Sequence, residues 1–351
     1  MRKLGTLQGD VARLTVISLS AALLAVTAPA AWAQDVPDDV TESETDADAP
    51  PTTDAAVADP GAERTRFINP VIERLANGEP FIGVSTGNMS LEHAKALTRS
   101  GIDYVYVDFE HNPMDLSALY HFTLGTIDKA AIAERGDLRH DLAVFARFPP
   151  YGREQVEWIS KQALDIGLMG MIFNSIDNAE QAEFAVRSMR YPPRRDAEYP
   201  EPAGLRGWSP GLATWLWGVS SSEYAEIADV WPLNPNGELL AIMMIETAEG
   251  VENVEEIAAV PGVGALFVGP ADMSRSFGVP GNSPEIEEAL DRILAACLEH
   301  NVACGKSFAP DEIAGRIEDG WMMLNLAGAP GGLNPTNAAA LEAAKEVIGT
   351  R

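Results

Sequence analysis

Residues 239–250 read LLAIMMIETAEG and residues 265–274 read ALFVGPADMS. Each begins as an apolar run about as long as a fully buried parallel strand, ends in one carboxylate (Glu246 and Asp272), and passes into a stretch with helical periodicity. Strand and helix in alternation build α/β folds, and parallel barrels collect their chemistry at the C-terminal edge of the strands. The two carboxylates are therefore expected on neighbouring strand ends at one mouth. An all-oxygen pair leaves room for water and a chelating substrate, which suits a hard cation such as Mg²⁺ or Mn²⁺ better than a four-ligand zinc site. A lone acidic strand end would be read as a cap of the next helix. Two in consecutive units, with a third acidic segment upstream, point to function.

The same alternation extends in both directions from this stretch. From Phe81 onward eight candidate strands can be read: FIGVST, DYVYVDF, LAVFARF, GMIFN, LLAIMMIE, ALFVGP, VACGKSF and MMLNLA. Amphipathic stretches such as SLEHAKALTRSG, REQVEWISKQALDIG and PEIEEALDRILAACLEHN separate them. Eight such units predict a parallel, eight-stranded (β/α)8 TIM barrel. The runner-up, an open doubly wound sheet, is weakened because GVSTGNMS after the first strand is not a dinucleotide fingerprint. Between the fourth and fifth units runs a long loop rich in Trp and Pro, RYPPRRDAEYPEPAGLRGWSPGLATWLWGVSSSEYAEIADVWPLNPNGE. Connections of that length serve as lids or interface segments. Its Trp208, Trp215 and Trp217 are candidates for lining a substrate pocket, or for packing on a neighbouring subunit or the barrel wall.

The chain has 351 residues, 46% of them hydrophobic, enough to bury a large core. Residues 1–33 read as a secretory signal: Arg2, Lys3 and Arg13 precede an apolar stretch that ends in Ala31-Trp32-Ala33. Residues 34–65 are acidic and rich in Pro, Ala and Thr, with almost no large apolar side chain, and are expected to be a disordered leader. Residues 66–351 then form the single barrel domain. The mature protein is expected to be exported, in the periplasm, with no membrane span after signal cleavage. Its formal charge of -27 argues against nucleic acid as a partner, because phosphate binding needs the opposite sign. Cys297 and Cys304 flank LEHNVA and raise the question of a bridge, which spacing alone leaves open. They do not form a zinc motif.

The second candidate strand ends in VDFEHNPMD, bringing Asp108, Glu110 and His111 together at the mouth. A histidine beside carboxylates is suited to carrying protons near neutral pH. The third ends in Arg147, a permanent cation suited to a carboxylate or enolate oxygen, with a structural ion pair as the alternative. Asp165, in ALDIGLMG before the fourth strand, is read as orienting the histidine or capping a turn.

These segments, in this order from Phe81 to Leu326, resemble the HpcH/HpaI aldolase family of metal-dependent class II pyruvate aldolases, which share a fold with citrate lyase β-subunits. The resemblance rests on DFEHNPMD, ARFPP, KQALDIG, NAEQAEFAVRSMRYPP, GLRG and IETAEGVENVEEIAAVPGVGALFVGPADMSRSFGVPG. It implies that Glu246 and Asp272 ligate a divalent cation, Mg²⁺ or Mn²⁺, with Co²⁺ also compatible. It implies catalytic roles for His111, Arg147 and Asp165, with Asp165 orienting His111. Arg147, Gly269, Pro270 and Ala271 would bind the 2-oxo acid, and Asp108 and Glu110 would support the site from behind. The implied reaction is retro-aldol cleavage of a 4-hydroxy-2-oxo acid, by way of a metal-stabilised enolate, to pyruvate or a similar 2-oxo acid and an aldehyde. The implied assembly is a homo-oligomer, trimer or hexamer. The chain departs from the family's pattern in carrying Phe109 where a glycine is usual, GMIFNSIDNAEQ where proline and valine commonly precede the polar residue, Lys306 in GKSF, and a divergent last unit LNLAGAPGGLNP. Phe109 keeps a second reading open, a binding protein on the same scaffold with little turnover. Lys306 raises a Schiff-base mechanism, and a non-aldol lyase using the same enolate is the third reading.

Overall fold

The computed structural model describes residues 67–151, 154, 156–326 and 334–349. The signal segment and leader expected over 1–65 lie outside the described residues, as does most of the rim after Leu326. Among the described residues nine strands form one parallel sheet: β1 (Phe81–Thr86), β2 (Tyr104–Asp108), β3 (Ala143–Tyr151), β4 (Gly170–Asn174), β5 (Val230–Trp231), β6 (Leu239–Ile245), β7 (Ala265–Val268), β8 (Ala303–Phe308) and β9 (Met323–Leu326). They run in the order β4-β3-β2-β1-β9-β8-β7-β6-β5, and a pairing between β4 and β6 closes the ring. Eight strands thus make the barrel, and the two-residue β5 lies outside it, paired at the entry of β6. The eight candidate strands coincide with the eight barrel strands. Helices fill the connections, and no helix among the described residues is long and apolar enough to cross a membrane.

The direction of each side chain follows from strand alternation, anchored by contacts that only an interior permits. Tyr106 on β2 meets Phe267 on β7 edge to face at 6.0 Å, and Arg147 on β3 meets Met244 on β6. Neither pair of strands is adjacent, so these residues point into the barrel. Asp108 and Tyr104 share their face with Tyr106, while Glu246, Ile242 and Leu240 share theirs with Met244. The lower levels are filled by Phe81, Tyr104 and Phe145, whose rings pack at 5.4–5.5 Å. Gly83 and Gly170 make room for them: a Cβ at either would lie within 3 Å of a Tyr104 or Phe145 ring carbon.

The helix Pro70–Ala76 buries Val71, Ile72 and Leu75. It is tied to the N-terminal end of β6, where the backbone N–H groups of Ile68 and Asn69 donate to the buried Glu238 carboxylate at 2.8 Å. At the same end His140 is buried, and burial pushes its imidazole down from 6.5 to about 4. The unfolded chain takes up this proton below about pH 6.5, while the folded chain refuses it until about pH 4. The stability this confers is complete above pH 6.5 and is lost as pH falls toward 4, at about 1.36 kcal/mol per pH unit and about 3 kcal/mol in all. Urea unfolding at pH 7 and pH 4.5 is expected to show a smaller acid loss in His140→Gln than in the parent; equal losses would refute the assignment.

Cys297, on the helix Pro284–His300, and Cys304, on β8, form a disulfide with a Cα separation of 5.7 Å, in a buried position between barrel and helix.

Candidate active site

Arg147 occupies the centre of the mouth, almost entirely buried. Its Nε donates to Asp108 Oδ1 at 3.0 Å and its Nη2 to Asp108 Oδ2 at 2.7 Å, a bidentate pair across the β2–β3 ladder. Its Nη1 lies 2.8 Å from Glu110 Oε2. Burial works against the guanidinium charge, but the Asp108 hydrogen bonds and the charges of Asp108 and Glu110 outweigh it, so the group stays above its ordinary value. Arg147 is thus oriented by two carboxylates and retains a free N–H on Nη2.

Glu246 follows β6 directly, its side chain 3% exposed. Its Oε1 accepts two hydrogen bonds from Ser175, from the backbone N–H at 2.9 Å and the hydroxyl at 2.6 Å. Its Oε2 lies against Gly269, where a Cβ would come within 2.6 Å of it and within 2.7 Å of Met244 Cε. Burial pushes the Glu246 carboxyl up; the Ser175 hydrogen bonds oppose this, and the charges of Glu110 and Asp272 add to it. Burial also pushes the Glu110 carboxyl up; the charges of Arg147 and His111 pull it down, and those of Asp108 and Asp272 add to the rise. Asp272 is exposed, in the first turn of the helix Pro270–Phe277, which starts at the mouth with Gly269 as its N-cap. His111 stands on the rim, its Nε2 3.4 Å from Glu110 Oε2 and its side chain 63% exposed.

The sequence pattern of the HpcH/HpaI aldolase/citrate lyase family matches residues 87–319. The chain belongs to the HpcH/HpaI aldolase/citrate lyase family. It is 32% identical over 254 residues to the hydroxypyruvate/pyruvate aldolase of Delftia acidovorans, an alignment covering 72% of this chain and 82% of that protein. It is 29% identical over 248 residues to the 4-hydroxy-2-oxo-heptane-1,7-dioate aldolase of Shigella sonnei, covering 69% and 81%. A crystal structure of an HpcH/HpaI aldolase/citrate lyase family protein from Burkholderia cenocepacia superposes with a TM-score of 0.59 at 29% identity, over 80% of this chain and 98% of that one. As a family member the chain is a carbon–carbon lyase.

Within this family member the structure brings together Asp108, Glu110, His111, Arg147, Glu246, Gly269, Pro270, Ala271 and Asp272. Asp165 is the exception and corrects the expectation that it orients His111 within the chain. It sits in the helix Glu157–Ile166, which ends just before β4 begins, so it lies at the N-terminal end of the barrel, opposite the mouth. There its carboxylate accepts from Arg206 Nη2 at 3.0 Å and pairs with Lys161 at 3.4 Å. Arg206 is fully buried over the Tyr191 ring, so Asp165 anchors the long loop to the barrel. The partner of His111 in this chain is Glu110.

The Trp residues of that loop do not line the mouth either. Trp217 is buried and donates its indole N–H to Gly167 O at 2.9 Å, again at the N-terminal end. Trp208 and Trp215 face solvent at 54% and 74% exposure.

Two of the departures from the family pattern, Phe109 and Lys306, lie on the outer face of the strands, and most of the divergent last unit lies outside the described residues. Phe109 follows Asp108, so it points away from the mouth and stacks on Phe148 at 5.4 Å. It neither narrows the pocket nor contacts His111's side of it, which removes the reason for a silent scaffold. Lys306 shares its face with Cys304, which is bonded to an outer helix. Its Nζ lies over the Phe308 ring at 4.0 Å and donates to Ser307 O at 3.3 Å. A Schiff-base lysine would have to point inward, so this alternative is excluded by direction.

Ser175 was not legible as a site residue, since a serine after a strand carries no chemical signature; its place beyond the end of GMIFN was the one available signal. Among the described residues no group of three or more His, Cys, Asp or Glu converges as a metal cage. Two carboxylates with one oxygen cradled against a glycine still fit a hard divalent cation whose other positions go to water and substrate. Gly269 has φ −101°, a value any residue adopts. Gly269→Ala is therefore expected to keep the fold without backbone strain, to displace Glu246 and Met244 at some loss of stability, and to lower kcat/KM about 100-fold, since misplacement by about 1 Å costs that much. Steady-state kinetics beside a thermal melt check this.

Proposed function

We propose that this lyase cleaves a 4-hydroxy-2-oxo acid by a retro-aldol reaction, giving pyruvate or a similar 2-oxo acid and an aldehyde. The observation that carries the reading is Arg147, held by Asp108 and Glu110 at a mouth where its charge also acts on Glu246. A divalent cation held by Glu246 and Asp272 would supply Lewis-acid polarisation of the substrate's 2-oxo group.

The protein's own residues account for the remaining steps. The free Nη2 N–H of Arg147 binds the 2-oxo oxygen, where negative charge develops. The N–H of Ala271, in the first turn of the helix Pro270–Phe277, receives the substrate carboxylate, while Gly269, whose N–H is donated to Ile245 O, and Pro270, which has none, shape the site around it. His111 takes the proton from the 4-hydroxyl, the C3–C4 bond breaks, and its electron pair passes into the C2–C3 enolate as the aldehyde leaves. Once the aldehyde has left, His111 returns that proton to C3 of the enolate, which restores the neutral imidazole and gives the 2-oxo acid. Glu110, 3.4 Å from His111 and 2.8 Å from Arg147, couples the proton carrier to the oxyanion site. No oxidant or reductant is needed.

The experiment is deuterium exchange into the methyl group of pyruvate, followed by NMR with added Mg²⁺ or Mn²⁺. It tests the enolate without requiring the aldehyde. Metal-dependent exchange that is lost in His111→Ala supports the reading. Pyruvate binding without exchange in the parent would overturn it and leave a binding protein.

Export to an oxidising compartment is part of the proposal, supported by the buried Cys297–Cys304 disulfide. A homo-oligomer is also proposed, supported by exposed Leu212 and Trp215 on the helix Gly211–Trp217.

A further inference from the structure

Ser175 follows the last residue of β4 and has φ +47°, in the left-handed region that side chains rarely occupy. On either side of it the chain stays on β6: Phe173 pairs with Met243, and the N–H of Ile176 donates to Met244 O at 3.1 Å. Asn174 and Ser175 bulge from this ladder just where β6 runs out into Glu246. The left-handed turn aims both the N–H and the hydroxyl of one residue at one oxygen, Glu246 Oε1, at 2.9 and 2.6 Å. Glycine would adopt this φ without strain, but it would bring only the N–H. The hydroxyl adds a second donor to the same atom, in a pocket where Ser175 is itself buried.

The other oxygen is treated in the opposite way. Glu246 Oε2 has a glycine beside it, with 2.6 Å to the position a Cβ would take, and no donor from Ser175. We infer that Ser175 is a positioning residue: it saturates Oε1 and so presents Glu246 to the cation through Oε2 alone. The assignment deepens the proposed function and rests on Glu246 being a metal ligand. Hydrogen-bonding partners behind a ligand commonly set metal affinity by 10- to 100-fold.

The test is Mn²⁺ binding to the metal-free full chain, read from the EPR signal of free Mn²⁺, for the parent, Ser175→Gly, Ser175→Ala and Glu246→Gln. Ser175→Gly keeps the N–H and tolerates the left-handed φ, so it isolates the hydroxyl even if Ser175→Ala folds poorly. The expected result is Mn²⁺ affinity about 10- to 100-fold weaker in Ser175→Gly, with a melting temperature near that of the parent. Pyruvate methyl exchange at saturating Mn²⁺ is expected to fall in kcat more than to rise in KM. Parental Mn²⁺ affinity in Ser175→Gly, alongside loss of binding in Glu246→Gln, would overturn the role of Ser175 and leave the site reading intact. Parental affinity in Glu246→Gln would overturn the ligand assignment itself, and the inference with it.

Discussion

Glu246→Gln is expected to lose metal-dependent pyruvate methyl exchange by about 1,000-fold or more while remaining folded, and to unfold at an equal or higher urea concentration than the parent. The two halves of this expectation have one cause. The Glu246 carboxylate is desolvated and lies in the field of Glu110 and Asp272, so its charge opposes folding. Glutamine keeps an oxygen to accept from Ser175 and removes that charge. What it loses is an anionic oxygen for a hard cation, and with it the electrophile that polarises the 2-oxo group. Paired kinetic and urea titrations check both. An inactive variant that is also much less stable would show instead that Glu246 is chiefly structural.

Arg147 is expected to behave oppositely, with function and stability falling together. Arg147→Ala leaves Asp108, Glu110 and Glu246 facing one another with no cation among them, a loss of about 3–5 kcal/mol for a buried charge left unpaired. Arg147→Lys restores the charge but not the planar fork that meets both Asp108 oxygens, at 3.0 and 2.7 Å. It is expected to recover most of the stability and yet remain about 100- to 1,000-fold below the parent in kcat, because the donor to the developing oxyanion is no longer aimed. Urea midpoints with kcat measured at saturating metal separate the two. If lysine restored kcat, a positive charge alone would suffice, and the case for directed donation would fail.

The strands were readable because a strand covered on both faces must be apolar throughout, so FIGVST and GMIFN stand out, and β1 and β4 span those same residues. The two carboxylates were readable because each stands out after an apolar run, Glu246 directly after β6 and Asp272 four residues beyond β7, in the first turn of the next helix. Asp165 was misplaced because position before a strand marks the barrel's far end, and only the path of the helix Glu157–Ile166 makes that plain. Phe109 and Lys306 appeared to be site features because an eight-stranded sequence pattern does not state which alternate residue points inward. That parity is set by contacts between strands far apart in sequence, such as Tyr106 with Phe267.

The sequence by itself determined the repeating strand and helix that predict a parallel barrel, and the placing of Glu246 and Asp272 just after two successive apolar strands, because these follow from local periodicity and burial. Tertiary structure alone decided the direction of each side chain and the partners of each charge. It placed Arg147 between Asp108 and Glu110, Oε2 of Glu246 against Gly269, and both donors of Ser175 on Oε1. Hydrogen bonds and ion pairs act over a few ångströms in space whatever the distance along the chain, so no window of sequence contains them.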